Sequence, residues 1–237
     1  MAIKLSNPDN RGTSWRGTLD RITIENYTLR HLIRVAYGLK SDTQVLGGPD
    51  WLDKQHFDIA AKLEDADATR LKNVSYEVRS HAVQLMLQSL LAERFQLKVN
   101  PGERTLPVYL LVAGKSGAKL TALATPKDSD EARNRNHGTR TENGHLTATA
   151  LSMDSFADYL TSQSDSGDRV VLNRTQLAGD FNFNLNWTED SGGGVPADAA
   201  YPGLFTAVEE QLGLELKSDK GSVPVVMVTA VSKPELD

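Results

Sequence analysis

Hydrophobic positions recur along the chain with two periods. Val83, Met86, Leu87, Leu90 and Leu91 fall at i, i+3, i+4, i+7 and i+8, which is the apolar stripe of a helix. Leu29, Leu32, Ile33 and Ala36 predict a shorter helix, and Thr28 before them is placed as its N-cap. Leu204, Ala207, Val208 and Leu212 predict a further helix, closed by Gly213. Phe181, Phe183, Leu185 and Trp187 alternate with Asn182, Asn184 and Asn186. That period of two predicts a half-buried strand with Trp187 on its core face.

Self-comparison organises these elements. Ile22-Thr23 leading to Asn26-Tyr27-Thr28-Leu29 matches Leu146-Thr147 leading to Ala150-Leu151-Ser152-Met153, at a displacement of 124. Phe57-Asp58-Ile59 matches Phe181-Asn182-Phe183 at the same displacement. Gln96-Leu97-Lys98 matches Glu215-Leu216-Lys217 at 119, and Leu106-Pro107-Val108 matches Val223-Pro224-Val225 at 117. The displacement only shrinks, as expected for a duplication whose second copy lost loop residues. Each copy reads as strand, helix, two strands, helix and a closing hairpin, with Ser152 capping the second copy's first helix. The expected hairpins join 95–99 to 108–112 and 214–217 to 225–230. The fold class is therefore α+β: two tandem β-α-β-β-α-β-β repeats packed pseudo-symmetrically. The expected divisions are a first repeat with an N-terminal arm over 1–118, a polar linker over 119–143 and a second repeat over 144–237.

Composition narrows the function. The 237 residues carry 26 Lys and Arg against 31 Asp and Glu, a net charge of −5, which argues against nucleic acid as a partner. There is no cysteine, so disulfides, thiolate metal sites and cysteine nucleophiles are excluded. No apolar run approaches the length of a membrane span, and the start of the chain does not read as a signal peptide.

The candidate chemistry is sparse. His31, His56, His81, His137 and His145 form no metal-ligand motif. His31 and His81 read as solvated helix residues. His56 and Asp58 share a strand face, a spacing from which a carboxylate would orient an imidazole base. They are the catalytic candidates. No nucleophile elbow or P-loop is present. Asp165, Asp168 and Asp180 are candidate oxygen ligands for calcium, although their spacing is not that of an EF-hand. Trp51 after its turn, and Trp15, are candidate ligand-stacking surfaces.

A set of motifs then carries a resemblance. Ile3-Lys4-Leu5-Ser6-Asn7-Pro8-Asp9, Leu32-Ile33-Arg34-Val35-Ala36-Tyr37-Gly38-Leu39, Gly47-Gly48-Pro49-Asp50-Trp51-Leu52 and Gln211-Leu212-Gly213-Leu214-Glu215-Leu216 stand in this order. The chain resembles a family of exported proteins of soil acidobacteria known as a domain of unknown function. Ala36-Tyr37 and Phe57-Asp58-Ile59 are more remotely similar to the short N-terminal domain of secretins and TonB-dependent receptors. The resemblance implies export to the periplasm or exterior, with a small molecule or an envelope protein as partner. The function expected is a binding module. The alternatives are a nonstandard hydrolase of small esters or lactones, with His56 and calcium involved, and a sensor ectodomain.

Overall fold

The computed structural model describes residues 2–10, 12–17, 21–62, 74, 76–123, 138–142, 144–190, 194–196 and 198–236. The interior of the expected linker, with His137, and Gly192-Gly193 lie outside the described residues. The architecture is mixed α+β, with helices interspersed among strands that pair mainly antiparallel. The chain divides into two compact units. Unit 1 comprises Met1–Arg104 with Val223–Asp237, and unit 2 comprises Thr105–Ser222.

In unit 1 the strands β1 (Ala2–Leu5), β2 (Ser14–Gly17), β3 (Arg21–Thr28) and β5 (His56–Lys62) form an antiparallel sheet in the order β1-β5-β3-β2. Helix α1 (Leu29–Ala36) follows β3 directly because Thr28 caps it, its hydroxyl accepting from the His31 N–H at 3.3 Å. All four residues of the predicted stripe, Leu29, Leu32, Ile33 and Ala36, are buried. Strand β4 (Val45–Gly47) and the single-turn helix α2 (Trp51–Lys54) come next, then β5 and the long helix α3 (Tyr76–Arg94). Arg30 ties α2 and β4 to α1, donating to Asp53 and to the carbonyls of Val45 and Gly47. The core joins Ile3, Ile24 and Ile59 of the sheet to Leu32 and Ile33 of α1 and Leu87, Leu90 and Leu91 of α3.

Unit 2 also runs strand, helix, two strands and helix, with no counterpart of α2 among its described residues. Strand β8 (His145–Ser152) leads into α4 (Met153–Thr161), where the Ser152 hydroxyl accepts from the Ser155 N–H at 3.1 Å. Strand β9 (Val171–Asn173), β10 (Asp180–Asn186) and α5 (Leu204–Leu212) follow. Strand β7 (Gly138–Glu142) lies at the edge of the sheet β10-β8-β7. Trp187 is 2% exposed, as its strand period predicts, and packs with Leu146, Phe156 and Leu185. Gly213 ends α5 at φ 65°, where a Cβ would meet the Gly117 carbonyl oxygen at 2.3 Å.

The two antiparallel ladders share one register. Ile24 pairs with Ile59 and Thr28 with His56; 124 positions on, Ala148 pairs with Phe183 and Ser152 with Asp180. Each ladder is interrupted at the matching place, between Ile24 and Tyr27 and between Phe181 and Phe183. Asn26 and Ala150 sit in these interruptions with φ of 63° and 46°. The Asn26 N–H donates to Asp58 Oδ1 at 2.9 Å, and the Ala150 N–H donates to Asn182 Oδ1 at 2.8 Å. A bulge turns an amide out of its ladder, and a side chain of the neighbouring strand satisfies it.

The expected closing hairpins are a correction. Residues Lys98–Ala113 form one continuous strand, β6, and Leu214–Ala230 form another, β11. Neither Gly102 nor Gly221 has the positive φ that a tight hairpin turn needs. Each strand instead takes the other as its neighbour. In unit 1 the Thr229 hydroxyl donates to the Lys98 carbonyl at 3.0 Å, and in unit 2 the Gly114 N–H donates to the Gly213 carbonyl at 2.8 Å. The end of β11 pairs in parallel with β4, Val226 opposite Val45. The end of β6 pairs in parallel with β9, Tyr109 opposite Val171. Local turn signals lose here to a long non-local ladder.

Val226 and Val228 are buried in the unit 1 core. Burial of each is worth about 1.5–3 kcal/mol, and β4 has its parallel partner there. A chain ending at Ser222 is expected to lose the cooperative unfolding of unit 1, read by urea titration followed through Trp15 and Trp51 fluorescence. A truncated chain that unfolds like the full one would contradict this.

Candidate functional site

Strand alternation gives the unit 1 sheet two different faces. Ile3, Ile24 and Ile59 point into the core at 0%, 0% and 2% exposure. The opposite face carries Ala2 and Lys4 from β1, Asp58 and Ala60 from β5, and Thr23 and Glu25 from β3. These residues line an open depression of about 170 Å³. The register sets its chemistry in rows: Ala2 lies opposite Ala60 and Ala60 opposite Thr23, while Lys4 lies opposite Asp58. Small side chains thus form one end, and charged ones the other.

The two carboxylates are positioned by hydrogen bonds. Asp58 Oδ1 accepts from the Ser6 hydroxyl at 2.6 Å as well as from the Asn26 N–H. Glu25 Oε2 accepts from the Ser14 hydroxyl at 2.7 Å. Asn26 is 9% exposed, and its side-chain amide donates to the carbonyls of Asn10 at 2.9 Å and Gly12 at 3.2 Å. The segment between β1 and β2 is thereby anchored beside the carboxylates.

The residues singled out from sequence are dispersed. Asp58 lines the depression, but its Oδ1 holds Ser6 and the bulge rather than an imidazole. His56 is exposed; its carbonyl accepts from the Ser6 N–H at 3.0 Å and its backbone pairs with Thr28 in the sheet. Trp51 is half-buried, edge-on to Phe57 with centroids 6.4 Å apart, and the Lys233 ammonium lies over its ring at 5.9 Å. Trp15 is half-buried, edge-on to Tyr27 at 6.1 Å. Neither ring lines the depression. Asp165 lies in the single turn 164–166, Asp168 has a φ of 60° just after it, and Asp180 opens β10. Among the described residues no group of three or more His, Cys, Asp or Glu stands close enough to hold a metal ion, so these three are not gathered into a calcium cage. His31 is less solvated than expected: its ring packs on Tyr27 at 4.7 Å and lies 3.6 Å from Asp42.

Lys4 and Glu25 escaped the sequence reading. Both sit beside Asp58 only because of strand register, which local spacing does not reveal. The matching ladder of unit 2 supplies the contrast. At a displacement of 124, Asp58 faces the same role as Asn182, and Glu25 stands where unit 2 has Thr149. A neutral amide therefore performs the structural task of Asp58 in unit 2. The bulge bond by itself therefore does not require a charge at 58, and Glu25 takes no part in it.

A family profile described as a protein of unknown function, DUF3738, matches residues 30–231, most of the chain. The chain belongs to the DUF3738 family. No curated protein and no solved structure matches it. In this DUF3738 chain the match begins after Lys4 and Glu25 and takes in Asp58 and Asn182.

The double role of Asp58 yields a test. Asp58→Asn keeps an acceptor for the Asn26 N–H and is expected to cost less than about 1 kcal/mol, whereas Asp58→Ala strands that buried N–H and costs about 1–3 kcal/mol. Asn182→Ala is expected to cost the same about 1–3 kcal/mol. Urea unfolding midpoints decide; equal losses for Asp58→Asn and Asp58→Ala would show that the charge itself is structural.

Proposed function

We propose that this DUF3738 chain is a ligand-binding module made of two copies of one α+β unit, and that the first copy carries the ligand site on its open sheet face. The duplication is supported by the shared ladder register, the two caps at Thr28 and Ser152, and the two bulge bonds to Asp58 and Asn182. The pairing of β4 with β11 and of β9 with β6 supports an exchange of closing strands between the copies. One observation carries the binding reading. Glu25 and Asp58 stand where the second ladder has Thr149 and Asn182, and with Lys4 they line a depression. Work in the envelope or exterior of a bacterium follows from the family resemblance and is part of the same proposal.

The hydrolase reading is less supported. A general base needs a partner that fixes its tautomer and a group to deprotonate, and among the described residues no hydrogen bond or ion pair joins the exposed His56 ring to Asp58. A screen of small esters, lactones and ligands on the purified protein separates the readings. Ligands are expected to raise the melting temperature of the wild type and to lose that effect in the Glu25→Gln/Asp58→Asn double variant. Turnover of any ester that falls about a hundredfold or more in His56→Ala, the loss typical of a general base, would overturn the binding reading.

A further inference from the structure

The lining of the depression specifies a class of ligand. At about 170 Å³ it is smaller than the several-hundred Å³ cavities that hold drug-sized molecules. Its charged end presents one ammonium and two carboxylates, a local charge of −1. Glu25 and Asp58 each engage one oxygen within the protein, Oε2 by Ser14 and Oδ1 by Ser6 and the Asn26 N–H. Their second oxygens, Oε1 and Oδ2, take no part in those bonds. A primary ammonium, with three donors, suits two such acceptors and forms charge-assisted bonds to both. Lys4, exposed and opposite Asp58 in the register, is the group that would meet an anion on the same ligand. Ala2, Ala60 and Thr23 leave room at the other end for a small apolar or hydroxyl-bearing side chain.

We infer that the open face of unit 1 binds a small zwitterion carrying a primary ammonium and a carboxylate, the chemistry of a free α-amino acid. This rests on the reading of that face as a ligand site and adds the identity of what it takes. Glu25 and Asp58 hold the ammonium, and Lys4 holds the carboxylate. The lysine beside the two acids also makes the depression a poor place for a bare metal cation, in keeping with the absence of a three-ligand cluster among the described residues.

The test follows backbone amide shifts by NMR while ¹⁵N-labelled protein is titrated. The Asn26 amide reports directly, because its hydrogen bond ends on Asp58. L-Alanine at millimolar concentration is expected to shift the Asn26 and Thr23 amides saturably. N-acetyl-L-alanine, which lacks the ammonium, is expected to leave them in place. L-Alanine amide, which keeps the ammonium but has no carboxylate, is expected to bind more weakly in the wild type and equally in Lys4→Met. Asp58→Asn and Glu25→Gln are each expected to lower the affinity for L-alanine about tenfold or more, with urea midpoints near wild type showing that both variants remain folded.

Equal binding of L-alanine and N-acetyl-L-alanine would overturn the inference, as would undiminished binding by folded Asp58→Asn. A second series separates this failure from failure of the site itself. If neutral sugars or diamines shift the same amides while none of the standard amino acids does, the face binds but the ligand class is wrong. If no compound in either series moves them, both the class and the site are wrong.

Discussion

Val226 and Val228 are buried with Leu29, Ile33 and Leu91 in the first core, although the whole of unit 2 separates them from those residues along the chain. Leu111, from the end of β6, is buried in the second core with Leu146 and Phe156. Each core is thus closed by the far half of a long strand. The short strands β4 and β9 depend on this arrangement, because their parallel partners are those far halves. Parallel pairing requires a crossover, so neither short strand can find its partner in the residues next to it. The ladder of β6 and β11 is therefore the constraint under which the remaining elements assemble.

Within that frame a single backbone amide links fold and site. Asn26 tolerates its left-handed φ, since a short polar side chain is at ease there. Its N–H, turned out of the ladder, needs an acceptor, and Asp58 provides it. The same problem at Ala150 is solved by Asn182. Two solutions to one structural demand, one charged and one neutral, separate what the fold requires of the position from what it does not. The charge of Asp58 stands beside that of Glu25 and across from Lys4, on a face whose small residues leave space. A fold demand thus explains where the acceptor is, and the ligand proposed for this face would account for its charge.

Elements whose evidence lies within a few residues were legible in the sequence. The stripes of α1 and α5, the caps Thr28 and Ser152, the glycine stop at Gly213 and the alternation around Phe183 all depend on near neighbours. Strands β1, β2 and β7 were not legible: they are short, and each takes its place from a partner strand. The continuous path of β6 through Gly102 was hidden for the same reason, since its partner lies more than a hundred residues away. At the site, spacing on one strand suggested His56 with Asp58. The partners of Asp58 come from other strands and loops: Ser6, the Asn26 N–H and, opposite, Lys4. Ala150 carries no local mark of its positive φ, because alanine is not a residue that favours that region.

The sharing of β11 between two cores is most directly read by hydrogen exchange in a variant that weakens one core alone. Ile33→Ala opens a cavity beside α1 in the core of unit 1, at a cost of about 2–5 kcal/mol. The amides of Val226 and Val228 are then expected to exchange faster together with those of Leu32 and Leu91. Faster exchange at Leu32 and Leu91 while Val226 and Val228 keep their wild-type protection would contradict the account.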